Sequence, residues 1–425
     1  MANGLQAGVG RATITPPLGT WLCGFGNREH GCDAILDDLY ATTLVLANDE
    51  ITIAIVSCDV CGIPSQQVAA LRALIAERTD IPAAHVLVNT SHTHSGPFTS
   101  IHDDMSDHER AYSTNLVHAI AGSVEMAQSS LEACRITHSA GSVAVNVNRR
   151  QTHTGGSMVL GENARGALDT TVQLLRIDTD DGEPLAAMVH YACHPVVLFP
   201  PSHAVSADFV GVARGLFEAA SGATMLFLQG ACGNINPIGQ RSEMDMQERL
   251  WGVGSALGAE ALKVYSLSGL RSAFGEATPL EPELGAAHET LALELLPPGE
   301  PPPTFRTRTP ALRYWTPPLV GENQVAFEVQ ALRIGDVALV GGAGEVFIEL
   351  AHAVQERSPF AHTMYLGYAN GDIGYIPTAT AYAEGGYEVD IAHFHYSLPA
   401  AVAPNSAGRV VDASVALLET LMKSR

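Results

Sequence analysis

Six short apolar runs punctuate the chain, and each ends in small or polar residues. They are ITIAIVSCD (51–59), AHVLVNTS (84–91), LAAMVHYACH (185–194), ATMLFLQGACG (223–233), VALVGGAGE (337–345) and TMYLGYANGD (363–372). Continuous apolar runs of this length predict strands buried on both faces. Between them apolar residues recur at helical spacing, predicting helices over 65–79, 209–220 and 345–356. A last helix is predicted near 405–422, opened by the capping sequence APNS. Strands alternating with helices predict an α/β fold, with one or more mixed sheets covered by helices.

Two stretches interrupt that pattern. Prolines crowd residues 291–318, LALELLPPGEPPPTFRTRTPALRYWTPP. Proline disfavours regular structure, so a surface excursion within one domain, 1–425, is expected there. The glycines of WGVGSALGAEAL (251–262) hint at a dinucleotide loop, but a polar helical stretch precedes them rather than a strand. Close helix packing is the expected use of those glycines. No internal repeat is visible.

Composition narrows the partners. The 425 residues are 46% hydrophobic and carry 23 Lys+Arg against 45 Asp+Glu, a formal net charge of −22. That balance argues against nucleic acid or an anionic membrane surface as partner. No apolar run reaches the length of a membrane span, and the first residues lack the pattern of a signal peptide. Seven cysteines, an odd number, read as free thiols in a reducing cytosol. Cys58 and Cys61 form an isolated C-x-x-C, expected to be two buried thiols. The expected location is cytoplasmic, with a homo-oligomer left open.

Open α/β sheets bind ligands beyond the carboxyl ends of their strands. The residues just past each apolar run are therefore the candidates for chemistry. His92 and His94 stand at the end of one run, and His194 at the end of a second. Asn234 and Asn236 come after a third, Glu345 after a fourth and Tyr375 after a fifth. Taken singly, each residue has a plainer reading: a capping or buried histidine, a carboxylate at a helix N-terminus, a core tyrosine. Together they predict one composite site. Two histidines and a carboxylate suit zinc, and a zinc-bound water becomes a hydroxide nucleophile near neutral pH. Manganese, iron or nickel fit the same donors.

These residues resemble the catalytic domain of the neutral, non-lysosomal ceramidases. The likeness runs through GVGRATITPPLG, SHTHSGP, VNVNRR, HYACHP, FLQGACGNINP, GGAGEVF and YIPTATAYAEGGYE, in that order. The resemblance implies His92, His194, Glu345 and Tyr375 as zinc ligands. It implies that His94 contacts the substrate carbonyl, that Arg149 faces the scissile amide, and that Tyr387 supplies a substrate-side hydroxyl, with Tyr382 in the same tyrosine cluster. Where the family carries a serine proposed to be catalytic, this chain has Asn236, a hydrogen-bond donor. That departure puts the weight on metal chemistry. Ceramidases also carry a C-terminal immunoglobulin-like domain, and none is expected here.

The sequence therefore predicts a zinc-dependent amidohydrolase of a small-molecule N-acyl compound, lipid or soluble. An esterase, lactonase or phosphoester hydrolase on the same metal, and a metal-bearing binding protein without turnover, are the alternatives. Asp208, in VSADFVG, is open between general base and helix N-cap.

Overall fold

Each of the six apolar runs contains a strand. The protein is described by a computed structural model over residues 4–101, 105–199, 202–240, 242–276, 278–300 and 315–423. Eight strands form the larger sheet, in the order Thr224–Gln229, Pro184–Tyr191, Thr171–Thr179, Glu132–Ser142, Gln6–Thr13, Tyr40–Ala47, Thr52–Cys58 and Val86–Thr90. The two outermost pairs are parallel and the rest antiparallel, so the sheet is mixed. A second sheet of four strands runs Leu284–Glu294, Gln324–Ile334, Val337–Gly342 and His362–Leu366, the last pair parallel.

The apolar alternation along each strand sorts its residues between two layers. Leu44, Leu46, Ile53 and Ile55 of the large sheet share a core with Leu332, Ile334, Leu339 and Leu366 of the small one. Their neighbours Val45, Ala54 and Val56 point the other way, onto Val68, Leu71 and Ile75 of helix Ser65–Thr79 and Leu116, Ile120 and Val124 of helix Asp107–Ser129. Val329 and Val340 likewise face Leu350 and Val354 of helix Ile348–Arg357 and Val410 and Leu418 of helix Ser406–Lys423. The result is four layers: helices, sheet, sheet, helices. Continuous apolar runs are the direct consequence, because both faces of each sheet are covered.

The glycines of 251–262 lie inside helix Met246–Ala273. A Cβ on Gly254 would come within 2.5 Å of Val212 Cβ, and one on Gly258 within 2.7 Å of the Ala213 carbonyl. Gly254 and Gly258 serve contact with helix Phe209–Ser221, as expected, whereas Gly252 faces open space.

Two expectations need correction. The excursion over 291–318 does not begin at Leu291: strand Leu284–Glu294 continues through it, with Leu293 fully buried. Alternating apolar residues hold that strand until the first prolines. Residues 301–314 of the stretch lie outside the described residues. The helix predicted from 345 starts instead at Ile348, because Glu345–Val346 pairs in parallel with Tyr375–Ile376.

Candidate active site

The strand-end loops of both sheets meet around one cavity of about 500 Å³. His92, His94, Arg149, Asn236, Glu345, Tyr375 and Tyr387 all line it, and His194 lies directly behind. Backbone pairing does much of the positioning. Glu345 is in register with Tyr375 across the short parallel pair. Ile235–Pro237 pairs with Asn146–Thr152, and the Arg149 N–H donates to the Asn234 carbonyl at 2.8 Å. His92 is held in the left-handed region, φ 64°, while its N–H donates to the Val60 carbonyl at 3.0 Å. A non-glycine residue held there marks a locally strained backbone, of the kind that clusters at functional sites.

Three side chains form a potential metal-holding group: His92, His194 and Glu345. Nδ1 of His92 lies 2.6 Å from the Cys61 carbonyl, and Nδ1 of His194 lies 2.6 Å from the Cys232 carbonyl. A carbonyl only accepts, so both rings carry their proton on Nδ1. In the neutral ring Nε2 is then a bare lone pair. Burial holds both rings below the usual histidine range, His92 at about 4. Glu345 is held down at about 2 against the effect of its burial, by His92, His194 and Arg149. Yet its Oε2 stands 3.0 Å from His194 Nε2 and 3.5 Å from His92 Nε2. Acceptors facing acceptors at these separations repel unless a cation lies among them. The donor set fits a borderline divalent metal.

His94 belongs to the rim of this group. Its Nε2 is 3.2 Å from His92 Nε2, and its Nδ1 makes no hydrogen bond. Burial pushes its pKa well down, with His92 and His194 adding to the shift. Its ring packs over Gly24, whose φ is 91° and where a Cβ would come within 2.3 Å of the ring; Phe25 meets it edge-on at 4.8 Å. Below, Arg28 Nη2 donates to the His94 carbonyl at 2.7 Å and Nη1 to the Cys23 carbonyl.

Arg149 reaches four groups. Nε donates to Glu388 at 2.9 Å and Nη2 to the Tyr375 hydroxyl at 2.8 Å; Nη1 lies 3.3 Å from His194 Nε2 and 3.4 Å from Asn236 Oδ1. Arg150 Nη1 grips the other oxygen of Glu388 at 2.7 Å. Asn236 donates to Gln240 at 2.9 Å. Tyr387 meets Tyr375 edge-on at 5.8 Å. Tyr382 turns away, donating to the Val402 carbonyl. Asp208 caps helix Phe209–Ser221 by accepting from Phe209 N, and takes a second bond from Leu198 N. Burial raises it to about 6. Cys58 is buried in the core, whereas Cys61 lines the cavity.

Several participants carry little or no signal in the sequence. Tyr368 stacks on His92 at 4.0 Å, and its hydroxyl is 3.1 Å from Glu345 Oε2. Tyr396 donates to Glu345 Oε1. Asp372 and Trp315 line the same cavity. Burial, reinforced by Glu345, raises Asp372 well above the usual carboxylate range. Tyr368 and Asp372 both come after the strand His362–Leu366, so the strand-end rule pointed to their loop without singling them out; Tyr396 and Trp315 had no such signal.

A family model described as neutral/alkaline non-lysosomal ceramidase, N-terminal, matches residues 5–253. That span holds His92, His94, Arg149, His194 and Asn236 and stops short of Glu345. Among solved structures, one is a ceramidase complexed with C2, at TM-score 0.78 and 19% identity over 98% of this chain and 76% of that one. Another is the neutral ceramidase from Pseudomonas aeruginosa, at TM-score 0.75 and 20% identity over 99% and 75%. At these identities the likeness is one of fold. Among the described residues no helix is long and apolar enough to cross a membrane.

Proposed function

The chain belongs to the neutral/alkaline non-lysosomal ceramidase family, and from that premise we propose that it hydrolyses the C–N amide bond of an N-acyl compound. Zinc would be held by His92, His194 and Glu345, with Tyr375 as a fourth ligand. The observation that carries the reading is the convergence of two Nδ1-protonated histidines on a buried carboxylate. When bound, the ion supplies Lewis acidity that polarises a carbonyl and activates a water.

The chain's own residues supply the rest. Amide hydrolysis builds negative charge on the carbonyl oxygen, and donors fixed beforehand stabilise it. His94 lines the same cavity beside the ligand group, its Nε2 3.2 Å from that of His92, and would reach the substrate carbonyl from there. Arg149 is locked by Glu388 and Tyr375, so its positive charge is aimed before substrate arrives. Tyr387 offers a hydroxyl, and Asn236, where the family serine is absent, offers an amide rather than a nucleophile. The apolar rim residues Phe25, Val196 and Phe199 suit an acyl chain.

Zinc titration and then a panel of amides, esters and phosphoesters tests this. One equivalent of zinc and preferential amide cleavage is the expected result. Stoichiometric zinc with no turnover of any compound would leave a binding protein, and cleavage confined to esters or phosphoesters would change the reaction class.

A further inference from the structure

The C-x-x-C of the sequence is not a pair in the fold. Cys58 is fully buried among Val56, Val68 and Leu71, whereas Cys61 turns to the cavity. The partner of Cys61 is Cys23, from a segment far earlier in the chain. The two side chains pack together with Phe98 and Trp21, and their thiols share a hydrogen bond. Both line the cavity, Cys23 at 7% and Cys61 at 6% exposure, and no other described cysteine does.

A buried charge stands next to this pair. Arg28 is 1% exposed and donates to three carbonyls, those of Cys23 at 2.6 Å, His94 at 2.7 Å and Ser202 at 3.2 Å. Among the described residues it forms no ion pair. Burial lowers it to about 10, and the groups that counter the shift are the thiols of Cys23, Cys61 and Cys32, Cys23 foremost. A guanidinium buried without a counter-ion is costly. A thiolate would supply that counter-ion, and the thiolate is the form in which cysteine is oxidised.

The pair is also tied to the histidine loop from both sides. The Cys23 N–H donates to the Gly96 carbonyl at 2.8 Å, and Leu22 bridges to Pro97. The Cys61 carbonyl accepts from His92 Nδ1, and Cys61 Sγ lies 3.7 Å from that nitrogen. Drawing Cys61 Sγ toward Cys23 therefore pulls on the carbonyl that orients His92.

We propose that Cys23 and Cys61 are a site of reversible oxidation, closed by a hydroperoxide into a disulfide that weakens zinc binding in the cavity. The Cys23 thiolate attacks one oxygen of hydrogen peroxide, the O–O bond breaks, and the other oxygen leaves and takes up the thiol's proton as water. The Cys61 thiol then displaces a second water from the Cys23 sulfenic acid, and the S–S bond forms. Two thiols lose two electrons and two protons, and one peroxide becomes two waters. The effect on zinc rests on the metal-dependent hydrolase reading; formation of the disulfide does not.

The test treats reduced, zinc-free protein with hydrogen peroxide, alkylates the remaining thiols and maps the peptides by mass spectrometry. The expected product has lost two hydrogens, joins the Cys23 and Cys61 peptides, and reverts with dithiothreitol. Cys61→Ser should stop at a Cys23 sulfenic acid that dimedone traps, and Cys23→Ser should leave Cys61 without a cross-link. Zinc affinity, read by chelator competition, should fall about 10–100-fold on oxidation, the usual scale for disturbing a ligand's supporting bond, and recover on reduction. Cys23→Ser should show no such fall relative to its own untreated state. A cross-link through any other pair, Cys58–Cys61 included, or a Cys23 that stays reduced would overturn the proposal. So would a cross-linked protein whose zinc affinity is unchanged. Should the untreated protein bind no zinc, the metal reading fails while the peptide map still decides the thiol pair.

Discussion

Nδ1 of His92 donates to the backbone carbonyl of Cys61 across 2.6 Å. That one bond fixes the tautomer, turns Nε2 toward Glu345, and separates His92 from His94, whose Nδ1 has no partner. The two histidines of SHTHSGP therefore sit in different hydrogen-bonding surroundings.

His92→Ala should abolish stoichiometric zinc, measured by mass spectrometry of the dialysed protein. His94→Ala should keep the metal and lower kcat by about 10²–10³-fold, the usual scale for losing one oxyanion donor. Equal metal loss in both variants would refute this division.

Glu388 is 2% exposed and accepts from both Arg149 and Arg150. Glu388→Ala leaves two buried guanidiniums short of their counter-charge. It should destabilise the fold by about 3–5 kcal/mol and also lower kcat, because Arg149 loses its anchor. Urea unfolding and steady-state kinetics on the same preparation check both effects.

The two glycines at 252 and 254 of one helix should answer oppositely to alanine. A Cβ on Gly252 meets nothing within 4 Å, so Gly252→Ala should stabilise by about 0.5–1 kcal/mol. A Cβ on Gly254 meets Val212 Cβ at 2.5 Å and the Phe209 carbonyl at 2.8 Å. Gly254→Ala should instead destabilise by about 1–3 kcal/mol. Thermal melts that move in the same direction would contradict this account of the helix packing.

Far from the cavity, His138 stacks on His362 at 3.7 Å, and its Nε2 makes no hydrogen bond. Burial, with His362 adding to it, holds His138 down at about 4. The unfolded ring titrates near 6.5, so between these values the unfolded state binds more protons. Stability should then fall as pH drops from about 6.5 to about 4. Melting temperatures across that range should fall less steeply for His138→Gln; an unchanged slope would clear His138 of the effect.

Six of the twelve strands of the two main sheets, four of the helices and the strand-end residues of the site were legible in the chain because they depend on local pattern. Apolar runs mark strands covered on both faces, and a strand end is where a polar residue can face a ligand, which is why 88–98, 190–194 and 342–375 stood out. The resemblance separated His92 from His94; in the structure Nδ1 of His92 has a carbonyl partner and Nδ1 of His94 has none. What the sequence could not determine depends on contacts between distant segments. The partner of Arg149 is 239 residues away, and Tyr396 comes to Glu345 from a short helical turn 51 residues on. Gly62 and Trp315, far apart in sequence, close in on Asp372 at the same point, where a Cβ on Gly62 would lie 3.1 Å from the Trp315 ring and 3.4 Å from Asp372 Oδ2. Periodicity reports which face of an element is buried, but only packing of the two sheets decides which side chains share a cavity, and so which charges are paired and which are left for a ligand.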